Sequence, residues 1–118
     1  MQNEAQIKRL DDDNLLAGFG SNGGEEYLSY LLTSESLVIA GGDKFNPWND
    51  KMHGRLQKIQ NADGSWAGQH CITSPVFCTA AVVQCLTTDR DAEFLIVMAE
   101  RTHKAAEKVA EKSETEKK

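Results

Sequence analysis

The segment from Leu56 to Trp66 constrains the fold more than any other part of the chain. It places a helical pattern, a glutamine, a turn and a tryptophan in a fixed order. The amide of Gln60 can donate and accept hydrogen bonds at a helix end, where backbone groups lack partners. Gly64 supplies the positive φ that such a turn usually needs. We predict that a helix ends here, that the chain reverses, and that the Trp66 ring packs back over the junction.

Two helices are predicted before this turn. Glu25-Glu26 follows a glycine-rich break and suits a helix start, because acidic groups interact favourably with the helix macrodipole. Leucines at helical spacing follow, and Gly41-Gly42 ends the pattern. We expect the next helix to begin at Asn46-Pro47, with the asparagine as cap and the proline at the first helical position, and to end at Gln60.

Two further helices are predicted after the turn. Ser74-Pro75 is again a start signal, and the residues from Val76 to Leu86 are apolar almost all round. Their β-branched content leaves a buried strand open, but the proline position and the alanines favour a helix. From Asp91 onward, apolar residues keep a helical period while Lys and Glu occupy the other faces. Residues 4–16 carry a weaker helical pattern.

The spacing of Gln60, Gly64 and Trp66 resembles the end of a QW repeat. This repeat characterises the prenyltransferase and squalene-oxidase repeat family, which is related to squalene-hopene cyclases and has the α/α-toroid fold. Residues 18–34 and 68–81 are similar to parts of small bacterial proteins that carry it. The resemblance covers about residues 14–90 and implies the C-terminal part of a toroid, in which the three residues are structural.

We therefore predict an all-α chain of antiparallel helical hairpins that form a partial α/α toroid. Residues 1–90 are assigned to the toroid part, residues 91–111 to a C-terminal helix, and residues 112–118 to a disordered charged tail. Repeats of this kind bury their apolar surface on neighbouring repeats. An isolated arc leaves apolar faces uncovered, so we expect self-association or a protein partner.

Composition narrows the classes of partner and location. The 118 residues include 13 Lys and Arg against 18 Asp and Glu, a net charge of -5, so no basic surface for a nucleic acid is expected. No apolar run approaches the ~18 residues of a membrane span, and the start lacks the features of a signal peptide. We expect a cytoplasmic protein if the chain is full length, although a fragment of a longer secreted protein would look the same. The 3 cysteines are expected to be reduced thiols.

The catalytic motifs of the resembled family are not matched in this chain. The cyclases use a four-position motif with aspartate at the first, third and fourth positions, whereas Asp11–Asp13 are three consecutive aspartates outside the matched region. A solvated helix face explains them better. We predict no catalytic residue and favour a chain that is not an enzyme; if it is one, the resemblance implies a terpenoid cyclase or prenyltransferase.

A metal site is a weaker expectation. The protein prenyltransferases of the resembled family hold zinc with aspartate, cysteine and histidine, which makes His70 and Cys71 weak candidates. Adjacent His and Cys side chains diverge unless their loop bends, and buried cysteines beside a loop histidine explain the pattern without a metal. We therefore predict no cofactor, with zinc as the alternative.

The resemblance also implies a possible cavity for an apolar small molecule. Its candidate lining residues are aromatic or ionisable: Tyr27, Tyr30, Glu35, Trp48 and His70. Core packing explains the aromatic residues as well and is favoured. Glu35 lies on the apolar stripe if its helix runs unbroken, and in solvent if the helix breaks near residues 33–34.

Two functions remain: a noncatalytic QW-repeat domain for protein association or self-assembly, and a terpenoid-binding or terpenoid-transforming protein.

Overall fold

The computed structural model describes residues 22–115, and over this range the chain is helical with no strand. The elements are α1 at Gly24–Ala40, α2 at Phe45–Lys58, α3 at Pro75–Leu86, a 3-10 turn at Thr88–Asp91, and α4 at Ala92–Thr115. The predicted all-α class is confirmed for these residues. The weak helical pattern at residues 4–16 and the acidic run Asp11–Asp13 lie outside the described range.

Helix α1 runs unbroken from Gly24 to Ala40, and hydrogen bonds satisfy backbone groups at both of its ends. The Glu26 carboxylate accepts a hydrogen bond of 2.7 Å from the Gly23 backbone N–H just before the first turn. At the other end, Gly41 adopts φ 71 and its N–H donates to the Leu37 carbonyl at 3.1 Å. The alternative in which the helix breaks near residues 33–34 is therefore wrong, and Glu35 lies in the helix.

Helix α2 begins at Phe45, so the prediction that Asn46 caps it is wrong. Lys44 precedes the first helical residue and makes no side-chain cap bond. Pro47 consequently lies at the third helical position, where its missing N–H costs little because the first-turn donors have no helical partner. An Asn-Pro pair therefore marks a first turn without fixing its first residue. The helix ends at Lys58, two residues before the expected end at Gln60.

Helix α3 begins where the sequence predicts. The Ser74 hydroxyl accepts a hydrogen bond of 3.4 Å from the Phe77 backbone N–H, and Pro75 is the first helical residue. The open alternative of a buried strand is excluded, since residues 75–86 are helical throughout.

Helix α4 continues to Thr115, so residues 112–115 are helical although the sequence places them in a disordered tail. Two hydroxyl groups in its last turns donate back to carbonyls three residues earlier. Ser113 donates to the Ala110 carbonyl at 2.8 Å, and Thr115 donates to the Lys112 carbonyl at 2.9 Å. Residues 116–118 lie outside the described range.

Helices α1 and α2 form an antiparallel hairpin, and α3 lies beside α1 in parallel. The Trp48 indole Nε1–H, in the first turns of α2, donates to Ser34 Oγ in the second half of α1 at 2.9 Å. Arg55, later in α2, lies over the ring of Tyr30, earlier in α1, at 5.9 Å. Ser34 Oγ also lies 3.3 Å from Cys85 Sγ near the end of α3. The start of α1 lies against the start of α3, because a Cβ at Gly24 would be 3.0 Å from the Phe77 ring.

The core lies between α1, α2, α3 and the loop before α3. Its members are Tyr27, Tyr30, Leu31, Trp48, Met52, Leu56, Trp66, Cys78, Ala81, Val82 and Cys85. Helix α4 adds no fully buried side chain, and its described side chains from residue 100 onward are all exposed. About 24 Å of this helix, at ~1.5 Å per residue, therefore projects from the core.

Candidate functional site

The turn after α2 is closed by side chains of the predicted repeat pattern. Gln60 Nε2 donates to the Gly64 carbonyl at 2.8 Å, and Gly64 adopts φ 86. Asp63 Oδ1 accepts the Ser65 backbone N–H at 3.0 Å and the Ser65 hydroxyl at 2.6 Å. These bonds from Ser65 lower the pKa of the Asp63 carboxyl below its usual value.

Trp66 joins the turn to both neighbouring helices. Its ring is 6% exposed, and its Nε1–H donates to the Leu56 carbonyl near the end of α2 at 2.9 Å. Its backbone N–H donates to Thr79 Oγ1 of α3 at 3.0 Å. The tryptophan thus fixes where α3 begins relative to the end of α2, which is a structural role. Membership of this turn in the QW repeat stays a prediction.

The aromatic residues predicted to line a cavity lie in the core and contact one another. The Tyr30 ring meets Tyr27 and Trp48 edge to face, with centroids 6.4 Å apart in both pairs. Burial raises the pKa of Tyr27 to about 12 and also raises the pKa of Tyr30. The three rings belong to the core cluster, and the Tyr27 hydroxyl donates to the Ala67 carbonyl of the loop before α3 at 3.4 Å.

Glu35 lies apart from these rings. It lines a cavity of about 300 Å³ with residues of α3, the 3-10 turn and α4: Gln84, Thr88, Asp91, Phe94 and Leu95. His70 lies elsewhere again, in the loop before α3. The structure therefore distributes the five candidate lining residues over three places.

His70 lies beside the first turn of α1 between two carboxylates. Its Nδ1 is 3.0 Å from Glu25 Oε1, and its Nε2 is 3.7 Å from Glu26 Oε1. The His70 side chain is 30% exposed and that of Glu25 is 38% exposed, so solvent reaches the group.

Cys71 joins the same group through its thiol. A hydrogen bond between the thiol and Glu25 lowers the pKa of the carboxyl and raises the pKa of the thiol. The candidate ligand atoms of Glu25, His70 and Cys71 all lie within 4.8 Å of one another. All three cysteines are free thiols, and Cys78 and Cys85 are buried in α3. Cys71 is exposed, so the expectation of buried cysteines beside the histidine is wrong for this residue.

Backbone bonds hold the loop that carries His70 and Cys71 against α1. The Gly24 N–H donates to the Ile72 carbonyl at 2.8 Å, and the Gln69 N–H donates to the Asn22 carbonyl at 2.7 Å. A side chain at Gly68 would collide with the loop, because its Cβ would lie 2.0 Å from the Ile72 carbonyl oxygen.

Sequence reasoning missed Glu25 as a member of this group. The pattern assigned Glu25 and Glu26 only to the start of α1, which they also occupy in the structure. No local spacing links Glu25 to His70, because 45 positions separate them in the chain. The usable signal in the sequence was that each residue follows a glycine-containing break of its own, Gly23-Gly24 before Glu25 and Gly68 before His70.

A second feature is an open apolar groove of about 630 Å³ along α3. It is lined by Ser65, Pro75, Val76, Thr79, Ala80, Val83 and Gln84. Val76 is 81% exposed and Val83 is 48% exposed. No charged side chain lines this groove.

Among residues 22–115, no helix has the length and apolar character needed to cross a bilayer. Comparison with protein-family models, with curated proteins and with solved structures finds no match to this chain.

Proposed function

We propose that this chain is a noncatalytic helical module that associates with a second copy of itself through the exposed face of α3. The observation that carries the proposal is the mismatch between the composition of α3 and its burial. A helix that is apolar all round is normally buried all round. Helix α3 is apolar almost all round, yet the described residues cover only the side that bears Cys78, Ala81, Val82 and Cys85.

The opposite side of α3, which we call the α3 face, consists of Val76, Ala80 and Val83. All three residues are exposed, and they border the apolar groove. Burying exposed apolar surface gains about 25 cal/mol per Å², so an aqueous environment favours a partner on this face.

The absence of charge on α3 favours a second copy over an unlike partner. None of the 12 residues of α3 is charged. A two-fold contact sets the same patch of each subunit against itself, so any charge on the axis would face a like charge. An uncharged apolar face avoids this repulsion.

The interpretation as an arc of a QW-repeat toroid rests on the resemblance of the turn at Gln60, Gly64 and Trp66, and the helix directions agree with it as they do with other antiparallel bundles. Helices α1 and α3 are neighbours and parallel, while α2 is antiparallel to α1, and toroid repeats alternate direction in this way. Each repeat of such an array buries its surface on the next, so the last helix of an arc presents an apolar side. The alternative of a terpenoid-binding cavity gains no support from Tyr27, Tyr30 and Trp48, because these rings contact one another.

Light scattering across a dilution series tests the proposal. We expect a mass that approaches twice the 13.0 kDa of one chain as concentration rises. Val83→Glu places two charges in a two-fold contact and should weaken dimerisation at least ~10-fold. Val109→Glu is the matched control, because Val109 is 69% exposed on α4, outside the α3 face.

Two results would overturn the proposal. One is a chain that stays monomeric at every concentration. The other is a dimer that Val83→Glu leaves intact; if Val109→Glu then dissociates it, the contact lies on α4.

A further inference from the structure

The start of α1 and the loop before α3 bring together three kinds of metal ligand. They are the carboxylate of Glu25, the imidazole of His70 and the thiol of Cys71, with all ligand atoms within 4.8 Å. In tetrahedral zinc sites, Zn–N near 2.1 Å and Zn–S near 2.3 Å put nitrogen and sulfur about 3.6 Å apart. The widest spacing must therefore close by about 1 Å, which rotation of accessible side chains can supply.

The backbone conformation at Cys71 brings the adjacent His70 and Cys71 side chains toward the same carboxylate. Their side chains would diverge on an extended loop, but Cys71 adopts φ 51, in the left-handed region. This bend directs the thiol to Glu25, the same carboxylate that His70 Nδ1 contacts at 3.0 Å. Because Gly24 and Ile72 are joined by a backbone bond of 2.8 Å, the loop is already held in place beside the carboxylate.

A second carboxylate, that of Glu26, faces the His70 ring nitrogen that points away from Glu25. Metal-ligating histidines usually donate their other ring N–H to a carboxylate or carbonyl, which fixes the ring and raises its basicity. His70 Nε2 faces Glu26 Oε1 at 3.7 Å, on the opposite side of the ring from Glu25. Glu26 is itself held by the Gly23 N–H at 2.7 Å. The imidazole thus has one nitrogen for a metal and one for support.

We propose that Glu25, His70 and Cys71 bind Zn²⁺, with Glu26 supporting His70 and a water molecule as the fourth ligand. The mixed oxygen, nitrogen and sulfur set suits zinc, whereas Mg²⁺ and Ca²⁺ take oxygen ligands. Binding releases the thiol proton to solvent as the Zn–S bond forms, and this bond replaces the hydrogen bond between Cys71 and Glu25. The site shares no residue with the α3 face, so it stands or falls separately from the proposed self-association.

Metal titration of the reduced, chelator-treated full chain tests the site. We expect one Co²⁺ per chain, with a thiolate-to-cobalt charge-transfer band in the near ultraviolet, and one Zn²⁺ that displaces it. Cys71→Ser should abolish the charge-transfer band. Glu25→Gln should lower the affinity for Zn²⁺ at least ~10-fold, measured by competition with a chromophoric chelator, and Glu26→Gln by about 10-fold. Glu35→Gln, on the same helix but outside the group, is the matched control and should leave the affinity unchanged.

Three results would overturn the proposal. They are the absence of saturable binding, a charge-transfer band that survives in Cys71→Ser, and a loss of affinity in Glu35→Gln as large as that in Glu25→Gln. Far-ultraviolet circular dichroism of each variant shows whether its helices are retained, and Glu26 still accepts the Gly23 N–H in Glu25→Gln. A lost site in a folded Cys71→Ser variant therefore reports the missing ligand.

Discussion

Replacing Ser34 with alanine should destabilise the fold far more than the loss of one hydroxyl group suggests. Ser34 is fully buried where α1, α2 and α3 meet. Its hydroxyl accepts the Trp48 Nε1–H at 2.9 Å and lies 2.9 Å from the Tyr30 carbonyl. Cys85 Sγ is 3.3 Å away. The hydroxyl thus links one residue from each of the three helices of the core.

The magnitude follows from the group that is left without a partner. The Trp48 side chain is buried, so Ser34→Ala would leave its indole N–H without the serine acceptor, which costs about 1–3 kcal/mol. Alanine is the better helix former by about 0.5 kcal/mol, which offsets part of this cost. We expect a net loss of about 1.5 kcal/mol and a fall in the unfolding temperature of roughly 6–12 °C.

The same helix supplies a matched control. Ser36 Oγ donates to the Leu32 carbonyl four residues earlier at 2.7 Å, as Ser34 Oγ does to the Tyr30 carbonyl, but Ser36 is exposed. Ser36→Ala should therefore change stability by no more than about 0.5 kcal/mol, with the helix propensity of alanine favouring a gain. Urea unfolding followed by circular dichroism measures both variants, and an unchanged m-value shows that they unfold alike.

A double-mutant cycle with Trp48→Phe decides whether the orphaned indole is the cause. Phenylalanine has no N–H, so Ser34→Ala should cost at least ~1 kcal/mol less in the Trp48→Phe background. The reasoning fails if Ser34→Ala costs the same in both backgrounds, or if it resembles Ser36→Ala.

Two further predictions concern the turn and the buried phenols. Gly64→Ala should cost about 1–2 kcal/mol, because φ 86 is strained for alanine, whereas Gly54→Ala in the middle of α2 has open space around its Cβ and should gain up to ~1 kcal/mol in the same unfolding assay. Equal effects of the two substitutions would contradict the positive-φ argument. Burial raises the pKa of Tyr27 from 10.0 to about 12. The contribution of this phenol to the free energy of unfolding is therefore complete below pH 10 and is lost as pH rises toward 12. Above pH 10, the free energy of unfolding should therefore fall less steeply with pH in Tyr27→Phe than in the parent chain. An identical dependence on pH in both would show that the Tyr27 phenol does not cause alkaline unfolding.

Local signals accounted for much of the fold. Gly41 ends α1 and Ser74-Pro75 starts α3 because each acts within one helical turn, where sequence neighbours are also spatial neighbours. The Asn46-Pro47 signal failed because proline is tolerated anywhere in a first turn. The last turn of α4 was missed because residues 112–115 include no apolar side chain, so apolar spacing gave no helical signal there.

The candidate site depended on contacts that no periodicity encodes. Sequence reasoning singled out His70 and Cys71 but lacked the bend at Cys71 and the third member of the group, Glu25. Both arise from tertiary structure: the loop lies against α1 only because the turn after α2 and Trp66 bring α3 back beside it. Patterns could name two members of the group, and only the packing of α1 against the loop identified the third.

The projecting part of α4 has a thermodynamic consequence for the whole chain. From residue 100 onward its described side chains are all exposed, so its helical state depends on local bonds such as the 3.2 Å contact between His103 and Glu107. An isolated helix of this length is marginal in water. Its amide protons should therefore exchange with solvent through local fraying, whereas those of α1–α3 should exchange through global unfolding. Within residues 22–115, the chain should then behave as a cooperative body of α1–α3 and the start of α4, joined to a helical segment that frays separately from it.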